Sequence, residues 1–305
     1  METIANNMEL ACREENGGIV IERARTGEKR AAVPEELFGL PVRALGPRAF
    51  APRAGEHVHR DLHTVSLPPT LEQVGDYAFY NCVGLETIAL TGRTRNWGAS
   101  CLMNCRVLRR LELEALDEGA EPLCYFAGEL PGELDVSVSF PDGDALRLIF
   151  PEYVESYENN DPAHHFDFHL YGPGFPYHNA FRSKRLDLAL FDGAWGEMMR
   201  REHDPACAMR LAFYRLRYPK GLSDRASADY RSYLDGCGGD VLRWLVEEGD
   251  CRGLGWFLEH FRPGGAAVSD ALELARIRRV TEAAALLLAQ GRERAPAGRS
   301  RRFDL

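Results

Sequence analysis

Between residues 62 and 113 the sequence repeats itself every 23 positions. Gly75 recurs as Gly98, Phe79 as Leu102, Asn81-Cys82 as Asn104-Cys105, and Leu85, Ile88 and Leu90 as Leu108, Leu111 and Leu113. Leu62, Val65 and Leu67 precede Leu85, Ile88 and Leu90 by the same interval. An earlier copy, "VRALGPRAF", stands 29 residues before "LEQVGDYAF". The six additional residues fall in "APRAGEHVHRD", which reads as a loop inserted in one coil. A unit this short cannot bury an apolar face alone, so each copy must stack on its neighbours and the array must be capped.

A period in the twenties carrying Leu-x-x-Leu-x-Leu is the mark of a leucine-rich solenoid. The stretch "VGDYAFYNCVGLETIAL" resembles the coil of the BspA-like subfamily of bacterial leucine-rich repeats, and "PEELFGLPVRALGPRAF" is similar to the opening segment of such arrays. The resemblance covers about residues 15 to 115 and implies a short solenoid of about three coils. It also brings in a surface adhesin, as in secreted relatives, as one alternative function. "VPEELFGLPV" starts the array, and "GIVIERAR" reads as a terminal strand covering its first open edge. In each coil the leucine run supplies a short strand with apolar side chains turned inward. Asn81 and Asn104 are expected to satisfy backbone groups at the bend, as Asn does in turns. Cys82 and Cys105 are expected to stack as small hydrophobes, with Cys101 in the small slot of Ala78. That explains Cys101 and Cys105 without a zinc site, which needs two further ligands.

Beyond the array, "ELDVSVSFPDGDALRLIF" alternates on either side of "PDGD", a hairpin that closes the solenoid. From about 181 the apolar period becomes helical, with Ser223 and Asp240 as candidate N-caps and Pro219 and Gly249 as stops. "DALELARIRRVTEAAALLLAQG" is similar to one ankyrin repeat through Leu272, Leu274, Ala275, Glu282, Leu286, Leu287, Leu288 and Gly291, with Arg279 where that pattern carries Gly. The expected fold class is α/β: a short BspA-like solenoid of 23-residue coils followed by an all-α, ankyrin-like helical-hairpin domain. The expected divisions are 1–150 for the solenoid with its caps, 151–180 for a connecting segment, 181–291 for the helical domain and 292–305 for a basic, disordered tail.

Composition narrows the function. A net charge of −9 argues against a chain that coats nucleic acid. The first residues lack a secretory signal, and the longest apolar run, "AAALLLA", is too short to span a bilayer. Eight cysteines spread without a CxxC point to free thiols and a cytoplasmic setting.

Three polar clusters carry residue types capable of chemistry. His57, His59 and His63 have spacing that a loop could close on a metal, against an ordinary exposed loop, the preferred reading. His165, Asp167 and His169 share one strand face, but i, i+2 and i+4 positions span about 13 Å, too far for one ion. "YGPGFPYHNAF" reads as a joint between the halves, or as an aromatic contact for a partner. No phosphate-binding loop, dinucleotide fingerprint, nucleophile elbow or zincin motif is present, so no cofactor and no catalytic residue is expected. The expected function is a non-enzymatic protein–protein interaction module, scaffold or adaptor; a metal-binding or catalytic protein using either histidine cluster is the runner-up. The expected partner surface is the outer sheet face: His63, Thr64 and Ser66, then Glu86 and Thr87, then Arg109, Arg110 and Glu112.

Overall fold

A computed structural model describes residues 1–53, 61–117, 120–160 and 165–294, in two compact units that divide at Ser223/Asp224. The first opens on an antiparallel meander of β1 (Glu2–Ala5), β2 (Met8–Glu15) and β3 (Gly18–Arg25). Its turns, Asn6-Asn7 and Asn16-Gly17, all hold positive φ, as tight two-residue hairpins require.

The coils follow as β4 (Arg30–Ala32), β5 (Glu36–Leu37), β6 (Leu40–Leu45), β7 (Thr64–Ser66), β8 (Gln73–Val74), β9 (Thr87–Thr91), β10 (Asn96–Trp97) and β11 (Arg110–Glu114). Helix α1 (Pro122–Glu129) then leads to the hairpin of β12 (Leu134–Ser139) and β13 (Ala145–Phe150). Two sheets result. In one, β4, β7, β9, β11 and β12 run parallel and β13 closes the edge antiparallel. In the other, β3, β6, β8 and β10 run parallel behind β2 and β1.

The array is therefore a solenoid of about five turns, longer than the three coils read from the repeat. Its outer rungs lack the leucine motif and the 23-residue spacing: Arg30 pairs with Thr64, and Arg110 with Asp135. The hairpin at 134–150 forms as expected and supplies the last parallel rung as well. The opening cap is a three-stranded meander, of which "GIVIERAR" is the strand that pairs with the array.

Apolar columns hold the coils together. Leu62, Leu85 and Leu108, then Val65, Ile88 and Leu111, then Leu67, Leu90 and Leu113 are all buried. Each such side chain contributes roughly 1.5–3 kcal/mol against exposure. Phe50 stacks on Phe79 with centroids 5.1 Å apart.

At the bend the backbone itself is in register. Gly46, Gly75 and Gly98 donate their N–H groups to Ile21, Leu45 and Val74 of the coil before. Arg48, Tyr77 and Ser100 all hold positive φ, and so do Asn81 and Asn104, a conformation Asn tolerates better than most residues. The asparagine side chains bond each other along the stack, Asn104 Nδ2 donating to Asn81 Oδ1 at 2.8 Å. That replaces the expected side-chain bond to local backbone. The cysteines also do more than fill space. Cys82 donates its S–H to the Phe50 carbonyl at 3.5 Å and Cys105 to that of Phe79 at 3.2 Å. Burial pushes both thiols up, Cys105 to about 12, so they keep the protons these bonds need.

The segment after the hairpin holds β14 (Val154–Asn160) paired with β15 (His165–Tyr171), then α2 (Phe175–His178). The stretch "YGPGFPYHNAF" lies within the first unit, where buried Tyr177 packs edge-on against Phe191 at 4.8 Å. A small ladder of β16 (Phe181–Arg182) and β17 (Arg185–Leu186) precedes α3 (Leu188–Gly193), α4 (Trp195–Met198) and α5 (Pro205–Arg217). Asp187 caps α3 and Asp204 caps α5 through their carboxylates. Arg215, fully buried, pairs bidentately with Asp192 at 2.7 and 2.8 Å. It also donates to the carbonyls of Tyr218 and Lys220, fixing the chain just after α5.

The helical periodicity that begins near 181 thus runs through both units. The second consists of α6 (Asp224–Gly236), α7 (Gly238–Glu248), α8 (Cys251–His260), α9 (Gly265–Arg278) and α10 (Thr281–Arg294). Tyr230, Leu234, Val241, Leu242, Leu245, Leu254, Phe257 and Leu287 form its core. Gly249 ends α7 in the left-handed region as expected. Asp240 sits in the first turn of α7, not at its N-cap, which is Cys237. Arg279 ends α9 at φ 59°, a left-handed position that explains why glycine is at home there. No helix among the described residues is long and apolar enough to cross a membrane.

Candidate interaction surface

In a parallel sheet built from stacked coils, alternate residues of each strand turn outward and line up across the strands. The register makes two rows explicit. One reads Arg30, Thr64, Thr87, Arg110, Asp135; the next reads Ala32, Ser66, Ala89, Glu112, Ser137, Arg147. Just before the strands, His63, Glu86 and Arg109 occupy equivalent positions. The structure therefore brings all eight residues singled out in the sequence onto one face. His63, Thr64, Ser66, Glu86 and Thr87 are half-buried there, while Arg109, Arg110 and Glu112 are exposed.

The charges on this face are unevenly matched. His63 Nδ1 lies 3.0 Å from Glu86 Oε1, a rung-to-rung contact. That bond, with the fields of Arg109 and Arg110 behind it, holds the Glu86 carboxyl below the usual glutamate range. Arg147 grips Asp135 at 2.9 and 2.7 Å and lies over the Tyr214 ring at 4.0 Å. Arg110 comes within 3.8 Å of the same carboxylate. Glu112 and Glu114, exposed on β11, have no ion pair among the described residues.

A groove of about 530 Å³ crosses this face from Pro69 to Arg147. Ala89, Ser137, Ser139 and Ala145 leave it a shallow floor, and Tyr218 from the end of α5 forms a wall. The buried Asp192–Arg215 pair holds the Tyr218 backbone in place. The face extends beyond Glu112, the last residue expected on it. Glu114 and Ser137 were within reach of the same alternation, since "LDVSV" continues it. Tyr218 left no sequence signal, because only the packing of α5 on β13 carries it there.

Neither His63 nor His169 lines this groove. His57 and His59 lie outside the described residues, and His63 pairs with Glu86 as above. His165, Asp167 and His169 follow a strand, as their alternation implied, with His169 exposed. The side chains of His165 and Asp167 lie outside the described residues. Among the described residues no group of three His, Cys, Asp or Glu side chains could hold a metal ion. All eight cysteines are free.

Residues 57–120 match the family described as the BspA type leucine rich repeat region, six copies. That segment is similar to BspA-type leucine-rich repeats, and leucine-rich solenoids are generally protein-interaction modules. No curated protein matches the chain. Solved structures with some similarity include a leucine-rich cell surface protein from Faecalibacterium prausnitzii, at 18% identity and TM-score 0.31, covering 47% of this chain and 43% of that one. A leucine-rich repeat protein of T. pallidum shows 21% identity and TM-score 0.28, covering 38% and 55%. One from Bacteroides ovatus shows 17% identity and TM-score 0.30, covering 37% and 31%. The aligned part spans less than two thirds of each of these chains.

Proposed function

We propose that the chain is a non-enzymatic protein–protein interaction module, a scaffold or adaptor, whose partner lies across the outer face of the parallel sheet. The observation that supports this most is the rung register, which sets His63, Thr64, Ser66, Glu86, Thr87, Arg109, Arg110 and Glu112 on one rigid, solvent-facing sheet. A sheet held by stacked backbone costs little ordering entropy when a partner binds. Arg109 and Arg110 add planar cations suited to bidentate carboxylate contacts. The helical unit, read as ankyrin-like, offers a second extended surface of the same general use. The free thiols support a cytoplasmic setting as part of the proposal.

The test is affinity capture with the double variant Arg109→Glu/Arg110→Glu. Both side chains are exposed, so the variant should melt within a degree or two of the parent. Partner capture should fall at least tenfold. Undiminished capture by the folded variant moves the partner site off these arginines.

A further inference from the structure

We propose that the groove on the parallel sheet receives an extended, cationic segment of the partner protein, an inference that rests on the interaction-module reading above. Three features argue for this occupant. The groove runs from Leu67, just past the end of β7, across β9, β11 and β12 to β13, five rungs that span about 19 Å at the usual spacing. That is the length of roughly six extended residues. Its floor of Ala89, Ser137, Ser139 and Ala145 presents no long side chain to block an approaching backbone.

Charge decides the sign of the occupant. Arg147, which lines the groove, is already committed to Asp135 and to the Tyr214 ring. Arg217 lies over the Phe213 and Tyr218 rings at 5.9 and 5.6 Å, outside the lining. Glu112 and Glu114 stand in the lining without an ion pair among the described residues, so the unbalanced charge in the groove is negative. A partner arginine or lysine brought there gains two carboxylates, and the Tyr218 ring, which already carries Arg217 at 5.6 Å, gives its side chain apolar contact at the wall. An acidic segment would instead meet those carboxylates and be held only by Arg109 and Arg110 at the other margin of the face.

The probes are two acetylated hexapeptides, Gly-Arg and Gly-Glu each repeated three times, titrated calorimetrically against the full chain at low and moderate salt. The arginine peptide should bind, and more weakly as salt rises. Glu112→Gln/Glu114→Gln should lower its affinity at least tenfold, and Tyr218→Ala by several-fold with no change of charge. Neutralising two exposed carboxylates on the other sheet, Glu2→Gln/Glu9→Gln, should leave it unchanged and so exclude general attraction to an acidic chain. Circular dichroism confirms that each variant is folded. Equal affinity in Glu112→Gln/Glu114→Gln overturns the proposal, as does preferential binding of the glutamate peptide that is lost in Arg109→Glu/Arg110→Glu. Peptide affinity reads the groove alone. Partner capture that ignores both sets of face variants removes the module reading itself.

Discussion

Two glycines, one in each unit, are required for opposite reasons. Gly75 sits at a solenoid bend where a Cβ would fall 2.6 Å from the Pro47 nitrogen of the preceding coil. Gly249 ends a helix at φ 68° with nothing within 4 Å of where its Cβ would point. The first is dictated by a neighbour and the second by its own backbone. That difference separates the two architectures. In the array a residue answers to the coil before and after it, so its identity recurs at the period of the stack: Gly98 stands against Gly75 and Asp76 as Gly75 stands against Gly46 and Pro47. In the helical unit most choices answer to local geometry, and the same position can be filled in more than one way, as Arg279 shows at a left-handed cap.

Substitutions at these positions test the difference. The largest effect is expected for Gly75→Ala. The added methyl meets backbone that cannot swing aside, and overpacking of this kind costs about 3 kcal/mol. Chemical denaturation should show the loss; a cost under about 1 kcal/mol would mean that the coils are not in backbone contact. Gly249→Ala should cost only about 1 kcal/mol, the penalty for a Cβ in the left-handed region. The converse change, Arg279→Gly, should stabilise by about 0.5 kcal/mol, because relief of that strain is partly offset by a more flexible unfolded chain. A loss of stability in Arg279→Gly would show that the arginine side chain does more than close the helix.

The smallest effect concerns pH. The Glu86 carboxyl is held below its ordinary range by His63, Arg109 and Arg110. A depressed carboxylate contributes stability that is present above the unfolded glutamate value and is lost as pH falls through the folded one. The melting temperature of the parent should therefore fall slightly more steeply than that of Glu86→Gln below about pH 4. Parallel curves would mean that the carboxylate is not engaged in solution.

What could be read from the sequence follows the same division. The central coils were legible because Leu85, Ile88 and Leu90 recur with their Asn-Cys pair. The outer rungs were not, because at Arg30–Ala32 an alanine takes the buried place of the leucines, and at Leu134–Ser139 the bare alternation of a hairpin hides a parallel pairing with β11. The outward residues of three strands followed from alternation alone. The groove among them did not, since its wall is Tyr218 and its placement depends on a buried Asp192–Arg215 pair contributed by two helices. Likewise the ladder of Asn81 and Asn104 was visible as a repeat, but its bonding along the stack needed the left-handed backbone that turns the side chains toward each other.

We propose that a partner protein binds across the outer face of the parallel sheet. The most direct test places a photo-crosslinking residue, one at a time, at Ser66, Ala89 and Ser137 in the middle row of that face, and at Glu9 and Arg23 on the other sheet. One common adduct is expected from all three face positions and none from the two controls. An adduct formed only from Glu9 and Arg23, with the face positions silent, would contradict the proposal.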